Sequence, residues 1–402
     1  MKIACIIASL GLGGAERQLV YLAETLAEIG HDVLIITYHE GNFYEDYAIK
    51  AGLRVINLAR GTKGARGTFA HIDTVANENS APEHPNSDGN TKGARGTFTI
   101  VRRVAATLKA EEVDAAVAFL VGASTKAALA HILFPHFKLF VSERCLNKHY
   151  LPHDALRFLL FRRAEKIICN SYAQGNFVCY HCPTLKNRVV VIPNFVDTEH
   201  FCPAESDFGK NIDDDNTIQH RRILVTARGA KRKNALGLIA AASILVRRGQ
   251  NNFVIDWYGF QEDGYKEECT KAIQRLGLNN FFHLHPSEKD VLSLYRKSTV
   301  FCLPSFYEGT PNSLAEALAC GLPCACSNVS DNALYVHHNI NGALFRPDSP
   351  ESIARALEKL LSLSEKELQE MGKNSREIAI SLLGRNGYIH SYRQILGDFK
   401  GI

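Results

Sequence analysis

Lys2–Ser9 reads KIACIIAS, a near-continuous apolar run with no polar alternation. A half-solvated strand alternates, so a strand apolar on both faces needs cover on both, as in a parallel sheet between helices. The turn Leu10-Gly-Leu-Gly-Gly14 follows, then an amphipathic helix to Ile29, a stop at Gly30 and a second apolar strand, Asp32–Tyr38. That order is a βαβ unit, and the alternation continues through strands at Val55–Leu58, Ala115–Phe119, Leu139–Ser142, Lys166–Asn170 and Val189–Ile192. It restarts at Arg222–Thr226 and runs through Phe253–Tyr258, Phe281–Leu284, Thr299–Leu303 and Pro323–Ser327. Helices are expected between these strands and at Pro350–Leu361, Glu365–Ile380 and Asn386–Leu396. The fold class is therefore α/β, with two doubly wound Rossmann-like domains of similar size.

Two interruptions set the boundaries. TKGARGTF occurs at Thr62–Phe69 and again at Thr91–Phe98, 29 residues later, separated by a polar run without periodicity. We read residues 62–90 as a duplicated surface-loop insertion whose excision costs no element. Residues 196–220 carry 1 Lys/Arg against 7 Asp/Glu, whereas residues 1–195 carry 22 against 17. This short acidic stretch is expected to link an N-terminal domain (1–195) to a C-terminal domain (221–380), with a terminal helical segment at 381–402. Asp213-Asp-Asp215 falls in the linker and reads as solvated charge. Eleven cysteines, an odd number set mostly in apolar elements, point to a reducing compartment. Cys179 and Cys182 have CxxC spacing without a second pair at zinc-ribbon distance. No apolar run approaches ~18 residues, so a soluble or peripheral cytoplasmic protein is expected. The mild net charge of +4 gives no ground for nucleic acid as a partner.

The chemistry concentrates in Thr299–Asn328, TVFCLPSFYEGTPNSLAEALACGLPCACSN. A strand leads through the loop Pro304–Gly309 into a helix announced by Thr310 as N-cap and Pro311 at the first helical position, running Asn312–Cys320 and stopping at Gly321. Backbone amides of a helix first turn, at the positive end of its dipole, form an anion site. Glu308 and Glu316 flank it, Glu316 about 7 Å along the axis from Pro311. One carboxylate on ribose hydroxyls, one on hexose hydroxyls and a diphosphate between them would fit a nucleotide-sugar. Chance supplies such a Glu pair easily, and the cations raise its meaning. The loop after Arg222–Thr226, Arg228-Gly-Ala-Lys-Arg-Lys-Asn234, should face the same crevice as Glu308 and could neutralise a diphosphate without a metal. In the first half, Gly11 and Gly13 fit a dinucleotide fingerprint whose third glycine is replaced by Glu16, leaving a glycine turn suited to close ligand approach.

With these residues in place, the chain resembles the family-4 retaining glycosyltransferases of the GT-B fold over nearly its whole length. The resemblance rests on Gly13-Gly14-Ala15-Glu16 after the first strand and Pro193-Asn194 with Asp197 at the domain exit. It rests equally on Arg228 with Lys233 five residues on, on Glu308–Glu316 as the E-x7-E motif, and on Asn339–Phe345 (NINGALF). It implies that two domains face a central cleft and that the C-terminal helices cross back to the N-terminal domain. It further implies that Arg228 and Lys233 hold the donor diphosphate, that Glu308 binds the hexose near its reacting face and that Glu316 takes the ribose. Gly309 and the amides of Thr310, Asn312 and Ser313 would contact sugar and phosphate, and Gly13 and Gly14 would let the N-terminal domain close on the donor. The implied catalytic set is Glu308, Arg228 and Lys233, with no cofactor and no metal.

The implied reaction moves a hexose or N-acetylhexosamine from a nucleotide-sugar, UDP- favoured over GDP-, with retention. The acceptor would be a glycan or polyprenyl-diphosphate-linked chain in cell-surface polysaccharide synthesis. Two departures stand out. Ser142-Glu143-Arg144 has Arg144 where many relatives place His, so Glu143 and Arg144 are assigned to acceptor-side positioning, because Arg144 cannot serve as a base. Val329-Ser-Asp-Asn332 replaces a frequent Gly-Gly-x-x-Glu. Ala155–Ala164 interleaves apolar residues with Arg157, Arg162 and Arg163. It reads either as a packed helix with a basic solvent face or as a contact with the anionic inner face of the cytoplasmic membrane. Two other functions remain in view: a sugar-nucleotide epimerase on the same fold, and an inactive nucleotide-sugar-binding subunit.

Overall fold

The computed structural model describes every residue except 42, 60, 64–93, 146–148, 205–219 and 398–402. Most of the duplicated segment 62–90, the middle of the acidic stretch 196–220 with Asp213-Asp-Asp215, and the last residues of the terminal segment 381–402 therefore lie outside the described residues. The chain forms two compact units, Met1–Asn170 with Gln174–Val191, and Ser171–Ala173 with Ile192–Ile402.

In chain order the first unit builds β1 (Lys2–Ile6), α1 (Gly14–Glu28), β2 (Asp32–Thr37), α2 (Glu45–Lys50), β3 (Arg54–Asn57), β4 (Gly61–Lys63) and α3 (Ala94–Ala110). Then come β5 (Ala115–Phe119), α4 (Leu120–Leu133), β6 (Lys138–Glu143), α5 (Pro152–Phe161), β7 (Lys166–Cys169), α6 (Tyr172–His181) and β8 (Val189–Val191). The strands form one sheet in the order β4-β3-β2-β1-β5-β6-β7-β8. All neighbours are parallel except β4, which runs antiparallel to β3 along the edge. The opening run behaves as its composition requires: Ile3, Ala4, Cys5 and Ile6 are fully buried. Ala4 and Ile6 join a core with Val104 and Leu108 of α3 and Ala127 of α4. Ile3 and Cys5 turn to the opposite face, because successive strand residues alternate.

The second unit builds β9 (Arg221–Thr226), α7 (Ala235–Arg247), β10 (Phe253–Tyr258), α8 (Gly264–Arg275), β11 (Phe282–His285), α9 (Val291–Arg296) and β12 (Val300–Leu303). It continues through α10 (Asn312–Ala319), β13 (Cys324–Ser327), α11 (Asn332–Tyr335), β14 (Gly342–Phe345), α12 (Pro350–Leu361), α13 (Glu365–Leu383) and α14 (Arg385–Leu396). Its sheet is wholly parallel in the order β11-β10-β9-β12-β13-β14. One core packs Leu238 of α7, Ile273 of α8 and Leu357 of α12 on Ile223, Ile255 and Cys302. The other packs Tyr295 of α9, Leu314 and Leu318 of α10 and Ala379 of α13 on Leu224, Phe301 and Cys326. Both faces are covered, as unalternating strands demand.

Four short elements were not expected: α2, β4, α6 and α11, each too short or too polar to carry a periodicity. The second TKGARGTF copy is helical from Ala94, whereas the sequence pattern alone places this helix at Ile100–Glu111. Gly321 ends α10 at φ +75, the left-handed conformation that favours glycine.

Candidate donor site and its surroundings

In the second sheet the chain order reverses between β9 and β12, so the loops leaving their carboxyl ends diverge and leave a crevice between them. The loop after β9 carries a single 3-10 turn, Lys231–Lys233, and the loop after β12 spans 304–311. These two loops bring Lys233 and Glu308 together. The Lys233 ammonium donates to Oε1 of Glu308, and an Arg232 guanidinium nitrogen lies 3.9 Å from Oε2. Lys233 is 9% and Glu308 7% exposed, so neither charge could stand alone there. Burial pushes the Lys233 amine down, Glu308 pulls it back up, and the neighbouring Arg232 and Arg228 lower it further. Arg228 itself is exposed, at the mouth of the same loop.

The pair is held by backbone anchoring. Asn234 adopts φ 63 and ψ 42, a left-handed conformation that asparagine tolerates, and its amide donates to the carbonyls of Pro304 (3.1 Å) and Pro347 (2.7 Å). The Phe306 N–H donates to the Arg232 carbonyl at 2.9 Å, tying the two loops directly. The Ser330 hydroxyl donates to the carbonyl of Glu308, fixing the backbone beneath its carboxylate.

Beyond Glu308 the chain enters α10 at Asn312, as expected, with one correction to its cap. Pro311 occupies the N-cap position at φ −73 and ψ 121, and the helix begins at Asn312. With an extended ψ the proline ring sits outside the helix instead of filling its first turn. No side chain caps this terminus. The Thr310 carbonyl instead accepts from Asn194 (2.8 Å), whose amide also donates to Asn312 Oδ1 (2.7 Å). Amides at Asn312 and Ser313 thus open a helix whose dipole favours an anion. Gly309 is half-buried on the approach.

Glu316 lies within α10 and is 5% exposed. The fully buried Tyr295 hydroxyl sits 2.8 Å from Glu316 Oε2, 2.7 Å from the Thr226 hydroxyl and 3.3 Å from the Ser313 carbonyl. A carboxylate only accepts, so Tyr295 donates to Glu316 while Thr226 can donate to Tyr295. Burial, and then the adjacent Glu316 charge, hold the Tyr295 phenol far above its ordinary range, so it remains a donor. Sequence reasoning did not find Tyr295 or the anchoring roles of Asn234 and Ser330; it read Arg232 only as one of the cations of its loop and quoted Asn194 only for the resemblance. The one available signal was general: a tyrosine in an apolar helix needs a partner for its hydroxyl.

The segment 329–332 has structural work. Ser330 takes φ 52, Asp331 accepts from the backbone N–H groups of Tyr172 (2.6 Å) and Ala173 (3.1 Å), and Asn332 donates to the Ser327 carbonyl (2.9 Å).

In the first unit the glycine turn differs from a simple phosphate cradle. Gly13 is the N-cap of α1, and a β-carbon there would sit 2.1 Å from a Glu16 carboxylate oxygen. Gly13 therefore makes room for Glu16 to fold back over the helix start, next to the exposed Gly14. Glu143 ends β6 and is 1% exposed; it accepts from Gln174 (3.1 Å) and pairs with Arg157 (3.4 Å), and burial raises its carboxyl. Arg144 is 8% exposed, its guanidinium 4.1 Å from the centre of the Phe119 ring. The membrane reading of α5 needs a correction at Arg157. That side chain is 4% exposed and holds Asp154 at 3.1 Å as well as Glu143, so it cannot face lipid. Two interior carboxylates require a counter-ion, which draws the arginine inward and turns Leu156 (61% exposed) and Leu159 (56%) outward. Arg162 and Arg163 are exposed. Among the described residues no helix is long and apolar enough to cross a membrane.

Comparison with known proteins follows the same division. The family described as Glycosyltransferase Family 4 matches residues 12–200, and that described as Glycosyl transferases group 1 matches residues 210–378. The chain is 26% identical over 382 residues, 94% of its length and 93% of the relative's, to a Campylobacter jejuni protein. That protein is the GalNAc-α-(1→4)-GalNAc-α-(1→3)-diNAcBac-PP-undecaprenol α-1,4-N-acetyl-D-galactosaminyltransferase. This chain is also 29% identical over 208 residues to the UDP-Gal:α-D-GlcNAc-diphosphoundecaprenol α-1,3-galactosyltransferase of Escherichia coli, a match spanning 47% of this chain and about half (49%) of that protein. The crystal structure of Anabaena Alr3699/HepE in complex with UDP superposes with a TM-score of 0.78 at 18% identity, covering 98% of this chain and 99% of that one.

Proposed function

The chain belongs to the family-4, group 1 glycosyltransferases with the GT-B fold, and on that premise we propose that it transfers a hexose or N-acetylhexosamine, with retention, from a UDP-sugar to a lipid-linked glycan. The observation that carries this reading is the buried Lys233–Glu308 pair between the loops after β9 and β12, beside the start of α10. Lys233 and Arg228 are the fixed cations for a departing diphosphate, with the α10 amides completing its charge shell. Glu308 then turns from Lys233 to the hydroxyls of the transferred sugar, and Glu316, oriented by Tyr295, takes the ribose. In the reaction the acceptor hydroxyl attacks the anomeric carbon from the face the diphosphate leaves. The bond to the phosphate oxygen breaks as the new glycosidic bond forms, and the acceptor proton passes to that phosphate oxygen. Fixed cations serve in place of a metal. Glu143 is too enclosed to touch an acceptor, so its proposed role is to fix the end of β6 and Arg144.

Relatives in Campylobacter jejuni and Escherichia coli whose names specify undecaprenol-linked substrates support the acceptor class and a surface-polysaccharide setting. The exposed Leu156 and Leu159 of α5 with Arg162 and Arg163 suit peripheral contact with an anionic membrane. The decisive experiment is a thermal-shift screen with UDP-, GDP- and ADP-sugars, followed by turnover on a polyprenyl-diphosphate glycan. Stabilisation by UDP-sugars with transfer supports the proposal. Epimerised donor in the absence of acceptor would replace it with the epimerase reading, and binding without turnover on any acceptor with that of an inactive subunit. Flotation on anionic liposomes that survives Leu156→Ser and Leu159→Ser would sink the membrane contact.

A further inference from the structure

In the second sheet, away from the Lys233–Glu308 pair in sequence, three side chains converge. Asp256 of β10 and His283 of β11 are register partners, and His285 follows two residues on, so all three project from one face. One oxygen of Asp256, Oδ1, lies 3.3 Å from His283 Nδ1 and 2.8 Å from His285 Nε2. One atom from each of the three residues falls within 4.8 Å of the others. Asp256 is almost wholly enclosed, its side chain 4% exposed, while His283 (42%) and His285 (32%) leave the group open on one side.

The proton inventory is what distinguishes this group from an ordinary hydrogen-bonded cluster. His283 Nε2 lies 3.2 Å from the Asn279 carbonyl, an acceptor only, so that nitrogen carries the ring's N–H. In a neutral ring Nδ1 then has no hydrogen, and its lone pair is aimed at a carboxylate oxygen that also has none to give. A cation between them resolves the contact. This is the arrangement that orients metal-bound histidines: one nitrogen donates to a backbone carbonyl and the other is thereby fixed as a ligand. The second oxygen of Asp256 is already held by Arg222 at 2.7 Å, which leaves Oδ1 as the single available donor. For a tetrahedral zinc ion with bonds of ~2.0–2.2 Å, ligand atoms stand roughly 3.3–3.6 Å apart; the His283 spacing of 3.3 Å fits as it stands, and the 2.8 Å contact of His285 must open for an ion to enter.

We propose that Asp256, His283 and His285 bind one divalent transition-metal ion, zinc by its ligand set, with water in the open position. It is a structural staple that pins the edge strand β11 to β10. Strand β11 pairs on one side only, and the chain passes from it directly to α9, which carries Tyr295. No step of sugar transfer runs through this ion, so the staple and the transferase reading stand or fall separately.

The full chain, stripped with a chelator and titrated with ZnCl2, should bind one Zn²⁺ and melt at a higher temperature. His283→Ala and His285→Ala, both at partly exposed positions, should each weaken binding roughly tenfold or more. Cobalt substitution separates this site from the eleven cysteines: visible d–d bands without a thiolate charge-transfer band are expected. The proposal is overturned by the absence of saturable Zn²⁺ binding. It is equally overturned by unchanged affinity in the His283→Ala/His285→Ala double variant, or by a thiolate band.

Discussion

Replacing Tyr295 with Phe tests the donor site at its least obvious point. The change keeps the ring that packs with Phe201 and Phe301 and deletes one oxygen. That oxygen donates to Glu316 at 2.8 Å and receives Thr226 at 2.7 Å, so its loss leaves a buried carboxylate oxygen without this donor. A hydrogen bond to a charged group contributes about 1.5–3 kcal/mol. If that energy holds Glu316 in its ribose-binding orientation, the competent fraction falls and the apparent Kd for UDP rises about tenfold to 150-fold. The same loss should lower the melting temperature of the second unit, of about 200 residues, by roughly 2–4 °C per kcal/mol. Thr226→Val removes only the neutral bond and should raise Kd no more than about tenfold. Titration calorimetry with UDP, alongside a thermal melt, reads both quantities. A folded Tyr295→Phe protein that binds UDP within twofold of the parent, while Glu316→Gln binds much more weakly, would refute the reasoning.

Other outcomes are equally direct. Lys233→Ala should reduce turnover by roughly two to three orders of magnitude, as expected for one lost electrostatic contact in the transition state; parental kcat would remove Lys233 from the mechanism. Turnover well below the melting transition should survive EDTA, and its abolition, restored by Mg²⁺, would show that fixed cations do not suffice. Arg157→Leu strands the Glu143 and Asp154 carboxylates and should destabilise the first unit by about 3–5 kcal/mol, seen in its urea midpoint, whereas Arg162→Leu should be near neutral. Burial raises the Glu111 carboxyl, but its bonds to Arg54 and Lys2 outweigh this and hold it below its ordinary value. A depressed carboxyl stabilises above its unfolded value of about 4.3 and loses that contribution as pH falls through the folded value. Glu111→Gln should therefore lower the urea midpoint modestly at pH 7, with the difference from the parent shrinking as pH falls below about 4.3.

The parallel sheets were legible because their signal is local and redundant. Each β1-type run is apolar on both faces, and each strand end is punctuated by glycine or a polar cap. Arg228, Lys233, Glu308 and Glu316 could be placed because the carboxyl-end rule converts strand order into loop position. What could not be read depends on groups distant in sequence. Tyr295 gains meaning only when α9 folds against α10, and Asp256 meets His283 only once β11 pairs with β10. Arg157 was misread for a related reason: helical periodicity finds the apolar side of α5, but only the interior carboxylates of Glu143 and Asp154 explain why the guanidinium and not the leucines lies inside. The Thr310–Pro311 cap failed by one residue, since either residue can precede a first helical turn and local sequence does not choose between them.

A pocket lined for an anion would, when empty, bear mutually repelling cations. On the proposed reading Glu308 would serve as a tethered stand-in for a phosphate, balancing Lys233 and Arg232 so that both cations are preassembled before a donor binds. Displacing that stand-in is a threshold. Inorganic phosphate must compete with a carboxylate held on the same fold at high effective concentration, and it offers Glu308 nothing in exchange. A sugar diphosphate supplies both halves of the trade: phosphate oxygens for the cations and hydroxyl donors for the released carboxylate. The Lys233–Glu308 contact would thus act as a gatekeeper, favouring intact donor over the phosphate and nucleotide fragments that share its charge.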